Sequence, residues 1–219
     1  MVVRTLVIGD VHGCLSELNQ LLAKFNYTPA QDRLIFVGDL INKGPDSLGV
    51  LERVQSLGAQ VILGNHEWAF LEYLKWRNYP SPHFANLEAR MGAQLEVWIK
   101  WLEALPLYLE FPDFLVVHAG LAPGQHPSQT ETRILTTIRT WDSVGTDLHD
   151  PKNPAWFEFY HDPKPVIFGH WAQRDLVIRD NAIGLDTGCV YGKLLTGVVL
   201  PSRQLIQVPA QRVYEVPKV

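Results

Sequence analysis

The hydrophobic and polar positions of the first hundred residues predict strands and helices in alternation. The first strand spans Val2 to Ile8, a short and mostly apolar run. A helix follows, because apolar residues recur at helical spacing at Leu15, Leu18, Leu22 and Phe25. Strands and helices that alternate in this way favour parallel strand pairing with right-handed crossovers, which is an α/β architecture.

The alternation continues and then gives way to a strand-rich second half. A strand at Leu34 to Val37 precedes a helix that Pro45 can open and that runs to Gly58. A strand at Val61 to Leu63 leads into a mostly helical stretch from Glu67 to about Ala104. Further strands are predicted at Phe114 to Val117, Val166 to Phe168, Ile183 to Leu185, Leu194 to Leu200 and Gln204 to Val208. These later strands predict a second, mixed sheet that packs on the first.

Two segments rich in Pro, Asn and Asp are predicted to be loops, at Asn78 to His83 and Asp147 to Pro154. Neither is long enough to link two domains, so we expect one domain over residues 1–219.

Many of the predicted strands end in a short polar cluster. These clusters are Gly9-Asp10-Val11-His12-Gly13, Gly38-Asp39, Gly64-Asn65-His66-Glu67, His118-Ala119-Gly120 and Gly169-His170. A lone Gly-Asp or Gly-His pair usually marks a turn. Five clusters that each follow a strand are different, because loops at the carboxyl ends of strands in an open α/β sheet converge on one crevice. The sequence therefore predicts one site formed by Asp10, His12, Asp39, Asn65, His118 and His170.

The residue types in this crevice predict a metal centre. Carboxylate, imidazole and amide oxygen without thiolate suit Mn, Fe or Zn. A carboxylate that bridges two ions holds them about 3.5–4 Å apart, and Asp39, in the middle of the set, is the predicted bridge. The other ligands divide between the ions, with Asp10 and His12 on one and Asn65, His118 and His170 on the other. The remaining histidines lie in loop-like sequence and are expected to face solvent: His83, His126, His149 and His161.

Composition narrows the class of protein further. The chain has 219 residues, 47% hydrophobic and 19% charged, which is typical of a globular protein with a substantial core. No apolar run approaches the roughly 20 residues that span a bilayer, so we expect a cytoplasmic protein without membrane partners. The net charge of -4 argues against general nucleic-acid binding. Cys14 and Cys189 do not form a disulfide scaffold and are expected to be small buried side chains.

The motifs together resemble a known family. GDVHG, GDLINKGP, GNHE, HAGL, FGHW and LDTGC, spread from residue 9 to residue 189, look like the phosphoprotein-phosphatase branch of the calcineurin-like metallophosphoesterases. Within that branch, the chain is most similar to the bacterial symmetrical diadenosine tetraphosphatases and their short relatives. The resemblance implies a single domain with a four-layer α/β (α+β) fold, in which helices flank a central β-sandwich of two mixed sheets. It also implies two divalent metal ions, most commonly Mn.

The resemblance gives roles to residues beside the predicted ligands. His66 follows Asn65 and is not needed as a ligand, so we expect it to be the general acid that protonates the leaving oxygen. Glu67 is expected to orient its neighbours. The predicted substrate-binding residues are Lys43, Asn42 and Arg139. Lys43 and Arg139 are expected to offset charge on the substrate phosphates, although a solvated arginine at a helix end is an alternative for Arg139. Trp171 is expected either to stack on an adenine or to pack in the core.

The second motif departs from the protein-phosphatase form in two positions. Asn42 replaces an Asp that would pair with the catalytic histidine, and Lys43 replaces an Arg that would clamp the phosphate through two parallel hydrogen bonds. A lysine is a point charge and cannot form that fork. Tetraphosphatase-like proteins vary at the position of Asn42, so this change favours them. The chain is also shorter than the usual tetraphosphatase, so some elements that determine substrate specificity are expected to be missing.

Three functions are consistent with this sequence. The first is hydrolysis of a phosphoanhydride, with symmetrical cleavage of diadenosine tetraphosphate or a related nucleotide to two ADP. The alternative is a serine/threonine protein phosphatase, whose partner is a phosphoprotein. The third is a binding module without catalysis, which is disfavoured because all six ligand positions and His66 are present.

Overall fold

The computed structural model describes residues 4–29, 31–77 and 80–217, and these residues form two five-stranded mixed sheets. Val2 and Val3 of the first predicted strand lie outside the described residues, as do Asn78 and Tyr79 of the first predicted loop. The strands are β1 (Arg4–Ile8), β2 (Asp32–Phe36), β3 (Gln60–Val61), β4 (Tyr108–Glu110), β5 (Leu115–Val117), β6 (Val166–Phe168), β7 (Val177–Ile178), β8 (Ala182–Gly184), β9 (Leu194–Leu200) and β10 (Gln204–Pro209). The α-helices are α1 (Leu15–Phe25), α2 (Ser47–Ser56), α3 (Asn65–Trp76), α4 (Pro82–Met91), α5 (Leu95–Glu103) and α6 (Thr132–Thr137).

The first sheet has the strand order β10-β9-β1-β2-β3. β1 pairs with β2 and β2 with β3, both parallel, which confirms the pairing predicted from the alternation of strands and helices. The prediction that the later strands form the second sheet is wrong for β9 and β10. β9 runs antiparallel along the other edge of β1, with Thr5 opposite Leu200 and Ile8 opposite Gly197. That edge needs a partner because β1 is buried and its backbone groups must be hydrogen-bonded.

The second sheet has the order β4-β5-β6-β8-β7 and packs face to face against the first. Alternate residues of the two sheets meet in one buried cluster, which includes Val7, Ile35, Val116, Ile167 and Val198. The helices α1 to α5 cover the outer face of the first sheet, and α6 with its neighbouring loops covers the outer face of the second. This is the predicted four-layer arrangement. Burial on both faces explains why the strands are continuous apolar runs rather than alternating ones.

The helices begin and end where capping residues allow it. α1 has the predicted extent, but the prediction that Pro45 opens the next helix is wrong. α2 begins two residues later because the Asp46 carboxylate accepts the N–H of Gly49 at 3.1 Å and so caps it. The long helical stretch divides into α3, α4 and α5. A left-handed residue, Arg77, ends α3, and Ser81 caps α4.

The predicted loop from Asp147 to Pro154 contains no helix or strand, as expected. The short elements β4, β7 and α6 escaped prediction because they are only two to six residues long and carry no periodic pattern. Among the described residues, no helix is long and apolar enough to cross a membrane.

Candidate metal centre

The loops that follow β1, β2, β5 and β6, together with the start of α3, bring the six predicted ligands together. The N–H of His170 lies 3.1 and 3.2 Å from the two oxygens of Asp10. The amide oxygen of Asn65 lies 2.9 Å from ring nitrogens of both His118 and His170. Asp39 connects His118 to His12, so the six residues form one cluster, and all are buried or partly buried.

Asp39 lies between two groups of ligands. Its Oδ1 is 3.5 Å from His118 Nε2, and its Oδ2 is 3.6 Å from His12 Nε2. Two triads of possible ligand atoms share this carboxylate, one with His118 and His170 and the other with His12 and His66. Its central place agrees with the predicted bridging role, which stays a prediction. His66 Nε2 is 3.9 Å from Asp39 Oδ2. The predicted acid therefore lies at the edge of the group that contains His12.

The second group of ligands presents acceptor atoms to one another. The ring of His118 contacts the carbonyl oxygen of Val37 through Nδ1 at 2.7 Å, so its proton is on Nδ1 and its Nε2 carries a lone pair. That lone pair faces the Asn65 oxygen at 2.9 Å. Ligand atoms that bind one ion at about 2.1 Å and at right angles lie about 3 Å apart, which is the spacing observed here. The arrangement fits a divalent cation.

His12 is oriented in the same manner. Its Nδ1 contacts the carbonyl oxygen of Ile41 at 3.0 Å, which leaves Nε2 free to accept. The ammonium of Lys43 lies 3.2 Å from that Nε2. The Nε2 lone pair of His12 therefore faces a cationic group, as expected for a ring nitrogen that binds a cation. Burial lowers the pKa of His12 and of His118, which favours the neutral, ligating form of both.

Three buried aspartates share this site, and the sequence analysis missed one of them. Burial raises the pKa of Asp39 to about 7, and it also raises the pKa of Asp10 and of Asp186. Asp186 further raises the pKa of the other two, so its charge is within their electrostatic range. Asp186 belongs to the LDTGC motif and follows β8 almost directly, so the rule that found the other polar clusters would have found it. Bound cations would offset the repulsion among these carboxylates.

The backbone is strained at the same place. His12, Asp39, Asn42, Lys43 and His170 all have positive φ, between 46° and 76°. Such conformations cost non-glycine residues on the order of 1–3 kcal/mol each and persist only where the surroundings hold them. Gly13 and Gly38 share this left-handed backbone, with φ of 70° and 96°, and two other glycines allow close approach. A Cβ on Gly64 or Gly169 would collide with the carboxylates of Asp39 and Asp10 respectively.

Glu67 holds this strained loop. The side chain is 0% exposed, and its two oxygens accept four backbone N–H groups. Oε2 accepts from Asp39 at 2.8 Å and from Gly64 at 3.1 Å, and Oε1 accepts from Leu40 at 2.8 Å and from Ile41 at 3.2 Å. Burial and the charge of Asp39 raise the pKa of Glu67 to about 7, while the amide donors oppose that shift. The side chain thus fixes the loop after β2 to the start of α3, in agreement with the expected orienting role.

His66, the expected acid, contacts Asn42. The amide oxygen of Asn42 accepts the backbone N–H of Lys43 at 2.9 Å, so the amide nitrogen is the atom that faces His66 Nδ1, at 2.7 Å. The amide donates, Nδ1 accepts, and the ring proton of neutral His66 is therefore on Nε2, which faces Asp39. Burial lowers the pKa of His66 well below its usual range.

Comparison with known proteins assigns the chain to a family. Residues 3–174 match the model of the calcineurin-like phosphoesterases. The chain belongs to the calcineurin-like phosphoesterase family. The family implies divalent metal ions, and the ligand set described above fits them. The ligand roles of the individual residues stay predictions.

The relatives of this calcineurin-like phosphoesterase include two symmetrical bis(5'-nucleosyl)-tetraphosphatases. The one from Janthinobacterium sp. (strain Marseille) is 31% identical over 93% of this chain and 95% of its own. The one from Vibrio parahaemolyticus serotype O3:K6 is 30% identical over 92% and 97%. The first alignment spans 261 positions against the 219 residues of this chain, so that relative has segments that are absent here.

Solved structures agree with this family. The crystal structure of a putative diadenosine tetraphosphatase superposes with a TM-score of 0.84 at 33% identity, covering 94% of this chain and 93% of the other. A protein serine/threonine phosphatase from Saccharomyces cerevisiae shares the fold, with a TM-score of 0.64 at 17% identity over 99% and 82%.

Two further residues that the sequence placed in the site of this phosphoesterase lie at the edge of the metal centre. Arg139 is half-buried rather than solvated, and its Nε has no hydrogen-bond partner among the described residues. Burial lowers its pKa, while Asp186 and Tyr191 oppose that shift, so the guanidinium lies within electrostatic range of the site. Trp171 packs against the cluster outside the second sheet, with its ring centroid 6.5 Å from that of Phe157, which agrees with the core alternative.

The remaining predictions concern buried thiols and exposed histidines. Cys14 and Cys189 are buried and free, as predicted. Their sulfur atoms and a carboxylate oxygen of Glu17 lie within 4.8 Å of one another, and Glu17 accepts the hydroxyl of Tyr214 at 2.7 Å. The four other histidines are exposed, also as predicted. One of them, His83, lies in α4 rather than in a loop.

Proposed function

We propose that this phosphoesterase cleaves diadenosine tetraphosphate, or a related nucleotide, symmetrically into two ADP. The two relatives and the solved structure that carry this activity in their names match more than nine-tenths of the chain. The observation that carries the proposal within the site is the contact between Asn42 and His66.

The cofactor of the proposed reaction is a pair of divalent metal ions, for which we propose Mn before Fe or Zn. Asp10, His12 and Asp39 would hold one ion, and Asp39, Asn65, His118 and His170 the other. When bound, two such ions polarise phosphoryl oxygens and make hydroxide available at neutral pH.

The leaving group explains why Asn42 suits a phosphoanhydride. The oxygen that departs as ADP belongs to a phosphate whose last ionisation lies at about pH 6, so it leaves as a stable anion. A serine alkoxide is about as basic as hydroxide, whose conjugate acid has a pKa of about 15.7, and it needs a proton as it leaves. A carboxylate in place of Asn42 would accept a hydrogen bond from the Nδ1–H of His66 and so stabilise the imidazolium acid. The Asn42 amide donates to that nitrogen instead, so it stabilises the neutral ring.

The side chains around the metal centre then have separate tasks. The Nε2–H of His66 donates a hydrogen bond to the leaving oxygen rather than a full proton. Lys43 neutralises charge on the polyphosphate, which carries more charge than a monoester and gains more from it. Arg139 contributes in the same way from the side of Asp186. Small nucleotides are thus the proposed partners, in the cytoplasm, of a single domain over residues 1–219.

Chromatography of a short digestion of diadenosine tetraphosphate with Mn²⁺ tests the proposal. We expect ADP as the only product, because water attacks an inner phosphorus. A mixture of AMP and ATP would reject symmetrical cleavage. No cleavage, together with rapid turnover of phosphoserine peptides by the same preparation, would reject the nucleotide substrate and favour the serine/threonine phosphatase. Hydrolysis of p-nitrophenyl phosphate serves as the control for an intact metal centre.

A further inference from the structure

A cavity of about 310 Å³ lies beside the metal centre, and none of the six predicted metal ligands lines it. One wall is the loop from Lys43 to Ser47, and the other is one face of α4, formed by His83, Asn86 and Arg90. These α4 positions are three to four residues apart, so they share one side of the helix. A volume near 300 Å³ lies at the small end of the range for ligand pockets.

Lys43 connects the cavity to the site. It lines the cavity, and its ammonium lies 3.2 Å from the ring of His12. The residue before it, Asn42, contacts His66 Nδ1 at 2.7 Å. The cavity therefore extends from the metal centre on the side of His66, which is where the proposed reaction releases its leaving group.

The lining has the polarity that a nucleotide requires. Lys43 supplies positive charge at the end nearest the metal centre. On α4, the guanidinium of Arg90 is held by Asp46 at 2.6 Å, so this cation has a fixed position and a counter-charge. Asn86, also on α4, offers an exposed amide, which can both donate and accept, and Pro45 and Pro82 offer apolar ring surfaces. Phosphate oxygens suit the Lys43 side of the cavity, and a nucleoside suits the α4 side.

We infer that this cavity binds the nucleoside diphosphate half of the substrate that leaves from the metal centre, with its phosphates towards Lys43 and its nucleoside against α4. The inference rests on the proposed function, because only a substrate with a nucleotide on its leaving side can use the cavity. A phenyl phosphate ester reacts at the metal centre without filling it.

Substitutions of Asn86 test the inference. Asn86→Trp fills the cavity, and the isosteric Asn86→Asp places a negative charge beside the polyphosphate without adding volume. We expect both to raise KM for diadenosine tetraphosphate by about tenfold or more, the cost of a lost subsite contact. Turnover of p-nitrophenyl phosphate and metal content are expected to stay as in the wild type. Ala85→Trp is the matched control, because Ala85 is exposed on the same helix but does not line the cavity.

The outcomes separate this inference from the proposed function. If the wild type cleaves diadenosine tetraphosphate and both Asn86 variants keep its KM, the inference is wrong and the function stands. A rise in KM that Ala85→Trp shows equally, or an equal loss on p-nitrophenyl phosphate, also contradicts it. If the wild type does not cleave the dinucleotide at all, the proposed function is wrong and the inference fails with it.

Discussion

Replacement of Glu67 by alanine is expected to destabilise the protein strongly although Glu67 touches no substrate. The change removes the acceptor of four buried backbone N–H groups, those of Asp39, Leu40, Ile41 and Gly64. A buried donor left without a partner costs about 1–3 kcal/mol. The lower bound for each of the four gives a loss of about 4 kcal/mol in the free energy of unfolding. The cavity left by the side chain adds to that loss.

Denaturant unfolding in the presence of a chelator measures this loss without a contribution from bound metal. In a chain of this length, 1 kcal/mol corresponds to a shift of about 2–4 °C in Tm, so we expect Tm to fall by about 8–16 °C. Glu67→Gln should lie between the wild type and Glu67→Ala. One glutamine oxygen can serve one pair of N–H donors, while its NH₂ group opposes the other pair.

Glu72→Ala is the control on the same helix. Its carboxylate accepts one exposed hydrogen bond, from the indole of Trp76 at 2.9 Å, so a change within about 0.5 kcal/mol is expected. A loss below about 1 kcal/mol for Glu67→Ala would refute the reasoning, since it would mean that water or a rearranged loop satisfies all four amides.

Three further predictions concern the metals, the acid and an acid-sensitive loop. Asp39→Ala is expected to lose both ions in metal analysis and His170→Ala only one; two ions retained by the former would contradict the bridge. Asn42→Asp should raise turnover of alkyl phosphates relative to p-nitrophenyl phosphate about tenfold or more, because a carboxylate favours imidazolium; an unchanged ratio would count against it. Backbone N–H donors, that of Asp147 foremost, lower the pKa of Asp142 below 3.8. The ionised Asp142 carboxylate therefore stabilises the fold above pH 3.8, and this stabilisation disappears as the pH falls through the lowered pKa. Unfolding of Asp142→Asn should therefore differ from that of the wild type at neutral pH and converge with it in acid; a pH-independent difference would disprove this.

Much of the fold follows from the sequence because the early strands and helices are local and periodic. The spacing of Leu15, Leu18 and Leu22 predicts α1 with its observed bounds, and the parallel pairing of β1 with β2 follows from the crossover. The sheet of β9 could not be predicted in this way. Its partner is separated from it by almost the whole chain, and periodicity says nothing about which free edge a distant strand will join.

The ligand cluster could be predicted because one rule, a polar residue just after a strand, applies to each ligand separately. The same rule applies to Asp186, which follows β8 after one intervening residue. The orientation of the Asn42 amide could not be predicted. It depends on the backbone N–H of Lys43, and therefore on two consecutive residues with positive φ that the sequence does not reveal.

The strained residues connect the stability of this loop to its chemistry. The left-handed backbone of the loop after β2 includes three non-glycine residues, Asp39, Asn42 and Lys43, besides Gly38. Such residues keep that conformation only if other contacts exceed its cost. Here Glu67 binds the loop from one side, and the N–H of His12 donates to the carbonyl oxygen of Asp39 at 2.8 Å from the other. The amide of Asn42 meets His66 only while this loop is held. Loss of Glu67 should therefore disturb the hydrogen bond to His66 together with the metal centre, rather than stability alone.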